Sequence, residues 1–232
     1  MSVSRSTRQR VAERRAQQRR RARTISIALV GVLAVVVAGI IILASWRSAE
    51  ERQLLAEVSQ ELPSVGSTDA PVLIEEFSDF ACSYCADFSQ TLHQLIEAYT
   101  VDGTLRVVHV PITSLHPPYS ETAAEAAVCA GEQGSYWEMY DALFALYRAE
   151  GATAYTAERM LEMGDSLGLD RASFETCLNA PETASFLARA AEIASARGVT
   201  STPVIFVNGE RVPATLEARS FDSLSQWIES LR

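Results

Sequence analysis

The sequence predicts an α/β domain in which a βαβ half and a ββα half flank a block of helices, preceded by a single transmembrane helix. Three observations carry this. An apolar run, Val72 to Phe77, is followed by a helical pattern and then by a second apolar run, Leu105 to Ile112. About eighty residues with helical spacing and Ala-rich segments come next, and Val204 to Val207 then leads through Asn208-Gly209 into a final helix. Near the start of the chain lies one uncharged apolar stretch.

That stretch runs from Ile25 to Ser45, ISIALVGVLAVVVAGIIILAS. Twenty-one residues rising about 1.5 Å each span about 30 Å, the thickness of a bilayer hydrocarbon core. Residues 1–24 hold nine Arg and one Glu, a charge of +8, whereas the whole chain carries −9, so the remainder carries −17. The Arg excess sets the tail as cytoplasmic, and Trp46 falls at the interface where indoles are favoured. A cleaved signal peptide would have a shorter apolar core and small residues at the cut, where this chain has Trp46 and Arg47. The expected organisation is a cytoplasmic Arg-rich tail (1–24), a membrane anchor (25–45), a juxtamembrane stalk (46–65) and an extracytoplasmic domain (66–232). The tail has no aromatic residue to stack on bases, and the acidic remainder disfavours nucleic acid as a partner.

Pro71 punctuates the start of the first strand. Asp102-Gly103 is a turn before the second. Strand, helix and strand in so short a length predict a parallel βαβ unit. The helical block spans Tyr119 to Arg197, within an insertion of about residues 115–197. Thr156 starts one segment, Pro181 opens another, and Gly198 suits the position after a helix end. Asn208-Gly209 is a hairpin turn. Phe221 to Leu231 closes the chain as a helix, with Leu224, Trp227, Ile228 and Leu231 on one face.

The chemistry centres on Cys82-Ser83-Tyr84-Cys85, which follows a strand and opens a helix. A thiolate at a helix N-terminus meets free backbone N–H groups and the positive end of the dipole, which lowers its pKa. The spacing brings the second sulfur within bonding distance of the first but deeper. Cys82 is therefore the expected attacking sulfur and Cys85 its shielded partner. A zinc site would need two further ligands; Cys129 and Cys177 stand singly, and His93, His109 and His116 show no paired spacing, so no metal is expected. Glu75 and Glu76 lie in the first strand and face opposite ways, so one faces the core; period alone leaves open which. A buried Glu76 would have a raised pKa and could take a proton from Cys85 during exchange. Thr202-Pro203 precedes the third strand, where an ordinary trans proline is the default reading. Tyr136, Trp137 and Phe144 are read as packing, and His109 and His116 as structural.

The stretch Phe77 to Phe88 around Cys82 and Cys85, the helical block, the segment Gly198-Val-Thr-Ser-Thr-Pro203 and Val207-Asn-Gly209, with the entry Asp69-Ala-Pro71, together resemble the DsbA-like branch of the thioredoxin superfamily over about residues 66–232. The resemblance implies a thioredoxin fold with a helical insertion, Cys82 as nucleophile, Glu76 in the family's buried acidic position, a cis Pro203, and a substrate-binding surface at Thr202, Pro203, Ser83 and Tyr84. It implies no cofactor. Its partners would be unfolded or folding cysteine-containing proteins, and a quinone-linked membrane oxidase that restores the disulfide. Members usually carry Pro after the first Cys; Ser83 stands there instead, which leaves the direction of the reaction open. Oxidation of secreted or cell-envelope proteins is the leading expectation. A reductase or isomerase, and a non-catalytic peptide-binding module, are the alternatives.

Cys129 and Cys177 both fall in the insertion and are expected to form a structural disulfide, with a second redox pair or two buried thiols as alternatives. Closing a 48-residue loop would stabilise by about 4 kcal/mol in the chain-entropy treatment.

Overall fold

The computed structural model describes residues 62–232. The expected tail, the anchor at 25–45 and most of the stalk lie outside the described residues. A five-stranded sheet organises the rest. Its strands are β1 (Ser64–Val65), β2 (Val72–Ser78), β3 (Leu105–Pro111), β4 (Val204–Val207) and β5 (Glu210–Arg211), in the spatial order β1-β3-β2-β4-β5. β2 and β3 are parallel and joined by helix α1 (Ser83–Tyr99); β4 runs antiparallel to β2, and β5 antiparallel to β4. This is the thioredoxin arrangement. The helical insertion comprises α2 (Tyr119–Gly131), α3 (Tyr136–Glu150), a 3-10 turn at Ala152–Ala154, α4 (Ala157–Ser166), α5 (Arg171–Leu178) and α6 (Pro181–Ala196), and α7 (Phe221–Ser230) ends the chain.

One boundary differs from the sequence expectation. Ser64–Val65, assigned there to the stalk, pair antiparallel with Val107 and Val108 as an edge strand, and Leu62 is buried. Two residues are too few to show a strand period. Gly66 makes the turn out of this strand at φ +96°, and a Cβ there would lie 2.1 Å from Leu105 O, so only glycine fits.

Local chemistry sets the element ends. The side chains of Thr156, Asp170 and Ser220 accept from the N–H groups of Arg159, Ser173 and Ser223, capping α4, α5 and α7, and Pro181 occupies the first turn of α6. At the β4–β5 hairpin Asn208 (φ 47°) and Gly209 (φ 81°) take the left-handed values of a two-residue turn. Asn208 also extends the ladder: its Oδ1 accepts from Leu73 N at 2.7 Å and its N–H donates to Leu73 O at 2.9 Å.

The sheet is covered on both faces. Val72 and Ile74 pack with α1, α7 and the insertion in the larger core. Phe77, Val108, Val110, Val204 and Phe206 pack against Ala190, Ile193 and Ala194 of α6. In β2 the side chains of Ile74, Glu76 and Ser78 share the face turned towards α1, so strand alternation carries a carboxylate into the larger core. Glu75 takes the other face and pairs with Arg197 at 2.6 Å.

Candidate active site

The site forms where β2 ends and α1 begins. Cys82 is the N-cap of α1, and Cys85 lies three residues on, inside the first turn. The loop between strand and helix is fastened by Asp79, which is buried. Its Oδ1 accepts from Ala81 N at 2.8 Å and its Oδ2 from Leu115 N at 3.1 Å. The same carboxylate therefore holds the cysteine loop and the segment that leads into the insertion. The Asp79 backbone N–H donates to Cys85 Sγ at 3.5 Å.

The sulfurs are unlike. Both are free, and Cys85 has no exposure whereas Cys82 retains 7%. As a thiol, Cys82 donates to the carbonyl of Thr202 at 3.6 Å. Its pKa is lowered to about 6, first by a hydrogen bond with Cys85, and further, against the opposing effect of burial, by the Thr202 side chain and by the backbone N–H groups of Cys85 and Tyr84. Burial drives the Cys85 thiol far above the ordinary thiol range, and the hydrogen bond and charge of Cys82 add to this. The Thr202–Pro203 bond is cis, beside Cys82. Ser83 and Tyr84 lie exposed on the first turn of α1.

Of the two strand carboxylates, Glu76 is the buried one. Burial raises its pKa to about 7, opposed by hydrogen bonds with Tyr140 and Ser78 and assisted by the charge of Cys82. The Tyr140 hydroxyl donates to its two oxygens at 2.8 and 3.1 Å. His109, in register with Glu76 on β3, is wholly buried, and burial lowers its pKa to about 3, so it is neutral. Its Nε2 is 2.8 Å from Ser78 Oγ and its Nδ1 is 2.5 Å from the Tyr136 hydroxyl. Rings of Phe80, His109, Tyr140 and Phe144 meet edge to face or tilted, which seals the acid from water.

Away from the couple, Cys129 and Cys177 are joined in a disulfide between α2 and α5. No cluster of potential metal ligands occurs among the described residues. Sequence reasoning did not single out Asp79, Tyr140 or Arg219. Asp79 left a faint trace, an Asp two residues before Ala81 in a turn, which is the spacing of a side chain that bonds forward to the backbone. Tyr140 left none, because it reaches Glu76 across 64 residues of chain. Arg219, before α7, has its Nε buried without a hydrogen-bond partner among the described residues; burial lowers its pKa, and the charges of Cys85 and Cys82 act to raise it.

Two sulfurs so far apart in acidity, one held ready as a thiolate and one kept protonated until it must leave or attack, are suited to exchanging a disulfide between themselves and another molecule. The class this defines is the thiol–disulfide oxidoreductases. A family model described as thioredoxin matches residues 59–230, and the chain belongs to that family.

Among curated relatives, a "Probable disulfide bond formation protein D" of Bacillus anthracis is 26% identical over 209 residues, which cover 88% of this chain and 91% of that protein. Na(+)/H(+) antiporter NhaA 3 of Salinispora tropica is 37% identical over 169 residues, 71% of this chain but 24% of the antiporter. The chain thus spans about a quarter of the length of the antiporters it matches. The thiol-disulfide exchange protein alpha-DsbA2 of Wolbachia pipientis has the same fold, with a TM-score of 0.63 at 20% identity, over 79% of this chain and 98% of that one.

Proposed function

We propose that this chain oxidises cysteine pairs in secreted or cell-envelope proteins as they fold, using a Cys82–Cys85 disulfide. The observation that carries the reading is the separation in acidity between the two sulfurs. A substrate thiolate attacks the Cys82 sulfur of the disulfide, and the S–S bond to Cys85 breaks. Cys85 leaves with the electron pair and takes a proton from Glu76. A second substrate thiolate then attacks the substrate sulfur of the mixed disulfide, releasing the oxidised substrate and the Cys82 thiolate. When the enzyme is reoxidised, Cys85 returns its proton to Glu76 and attacks in turn.

The stability of the reduced state supports this direction. A thiol of pKa about 6, in place of the ordinary 9.0, stabilises the reduced form at pH 7 by about 1.4 kcal/mol, which raises a two-electron couple by about 30 mV. Thr202 O and the exposed Tyr84 flank Cys82, where an extended substrate would lie. The anchor expected at 25–45, with its Arg-rich flank, supports an extracytoplasmic domain. The Cys129–Cys177 disulfide suits an oxidising compartment. Reoxidation by a quinone-linked membrane partner fits that placement. Ion transport forms no part of the proposal, since the antiporter match covers about a quarter of those proteins.

The test is equilibration of the full chain with glutathione buffers, with a Cys82→Ala control. A potential of about −120 to −180 mV supports a net disulfide donor, and one near or below about −270 mV replaces the oxidase with a reductase. Full complementation of a null strain by Cys82→Ala would favour the peptide-binding module.

A further inference from the structure

Beside the couple lies a groove that the exchange chemistry leaves unused. It starts at Thr202, whose carbonyl receives the Cys82 thiol at 3.6 Å, and follows the last turns of α6. One wall is the segment 112–115 that follows β3. The other consists of Ala191, Ala194 and Ser195 of α6 and of residues 199–202, which lead into Pro203. The groove encloses about 300 Å³, and none of the eleven residues that line it is charged. Ile112, Ala194 and Val199 belong to the smaller core and give it an apolar floor, and Leu115, 44% exposed, stands at its rim. Both walls are fastened. Ile112 N–H donates to Ser78 O at 2.8 Å, and Leu115 N–H donates to Asp79 Oδ2 at 3.1 Å, which ties this wall to the loop that carries Cys82. On the other side Val199 N–H donates to Ala194 O at 2.9 Å, where Gly198 turns the chain at φ 64°.

We propose that this groove receives an apolar side chain of the substrate, two residues away from the cysteine that bonds to Cys82. The proposal rests on the thiol–disulfide exchange proposed above and names the substrates it favours: extended segments that carry an apolar residue at that spacing from a cysteine. Thr202 both touches the Cys82 sulfur and lines the groove, so a segment bonded to Cys82 passes the groove mouth. Once Cys82 is in a mixed disulfide it has no proton to donate, and Thr202 O is free to accept a backbone N–H of the substrate. A segment held in that way is extended, and its alternate side chains share a face about 7 Å apart. One of the two is the reacting cysteine; the other faces the groove. An uncharged groove with an apolar floor rejects a charged side chain, which would lose its water without gaining a partner. Apolar residues beside cysteines are exposed in unfolded chains and mostly buried in folded ones, so the groove selects proteins that have yet to fold.

The test uses the full chain with Cys85→Ala, which stops exchange at the mixed disulfide. Cys82 is loaded with glutathione and equilibrated with short peptides whose central Cys has Leu, Ser or Asp at the second residue on either side. Each peptide thiol that bonds to Cys82 releases one glutathione, and the two adducts are counted by mass spectrometry. At one of the two positions the Leu peptide should be held about tenfold better than the Ser peptide, the scale of one partly buried Leu, and the Asp peptide no better than Ser. Ala191→Trp fills the groove from the exposed side of α6, and Leu115→Ser removes the apolar rim but keeps the backbone bond to Asp79. Each should cut the Leu preference to about twofold or less. Glutathione is the reference in every variant, so a general change in Cys82 cancels. Equal retention of the Leu and Ser peptides overturns the proposal, as does a Leu preference that survives Ala191→Trp. If retention is equal and Ala191→Trp also turns a dimer into a monomer, the occupant is a second copy of this chain instead. A reducing potential would replace the oxidase reading yet leave these ratios standing, because the mixed disulfide at Cys82 is common to both directions.

Discussion

Replacing Glu76 by Gln should alter stability in a way that depends on pH, and the dependence has a calculable size. The Glu76 pKa is raised from its ordinary 4.5 to about 7 in the folded chain by burial. Below the unfolded value both states hold the proton, and the group makes no difference to folding. Between the two values only the folded state holds it. Unfolding then releases a proton, so stability falls as pH rises, and the loss is complete above about 7. A difference of about 2.5 units at 1.36 kcal/mol each amounts to about 3 kcal/mol. Gln does not titrate. The gap between Glu76→Gln and its parent should therefore shift in favour of the variant by about 3 kcal/mol between pH 4 and pH 9. Any constant effect of the amide on the Tyr140 hydrogen bond moves the whole curve and leaves this shift intact. Asp79, also raised by burial, is common to both proteins and cancels. The measurement is urea unfolding at a series of pH values, with Cys82 and Cys85 replaced by Ser in both proteins to prevent disulfide reshuffling. A gap that stays constant across the range would refute the reasoning, since it would mean that Glu76 is solvated.

Two further outcomes follow from the sulfurs. In the reduced chain, alkylation of Cys82 by iodoacetamide should rise through a midpoint at pH about 6 and then level off, while Cys85 stays unmodified until the fold opens. Because the Cys82 pKa is depressed, its contribution to the reduced state is full above the ordinary 9.0, shrinks as pH falls and is gone below about 6; a midpoint near the ordinary 9.0 would remove the argument for oxidising power. Cys129→Ala and Cys177→Ala should each lower stability by about 4 kcal/mol, from the 48-residue separation, and leave exchange intact at permissive temperature; unchanged melting with lost activity would make that pair part of the chemistry.

The sequence displays local features well and distant contacts poorly. Cys82 at a helix start, the cap at Thr156, Pro181 in a first turn and the Asn208-Gly209 hairpin are each decided within a few residues, and each can be read directly. The burial of Glu76 rather than Glu75 could not be read. β2 lies between β3 and β4, and its faces pack against α1 and α6, so the strand shows a nearly continuous apolar run instead of an alternation. What fills the space above Glu76 comes from the insertion, through side chains whose positions along the chain bear no fixed relation to the strand. His109 reads as an ordinary strand histidine until the register of β3 against β2 sets it opposite Glu76.

The insertion is therefore part of the redox site. α3 contributes Tyr140, which donates to Glu76, and Phe144, which packs on Phe80. Arg148, further along the same helix, donates to Ala86 O at 2.8 Å and Ser89 Oγ at 3.0 Å, which ties α3 to the helix that carries Cys85. The segment leading into α2 is tied to the cysteine loop through Asp79 and Leu115. Without this cover Glu76 would meet water, and its pKa would return towards 4.5. In the proposed exchange it would then be, at neutral pH, a carboxylate with no proton to give to a leaving Cys85, and its charge would oppose formation of the Cys85 thiolate during reoxidation. The dithiol motif supplies the two sulfurs; the helices laid over it bury the neighbouring acid and raise its pKa to about 7.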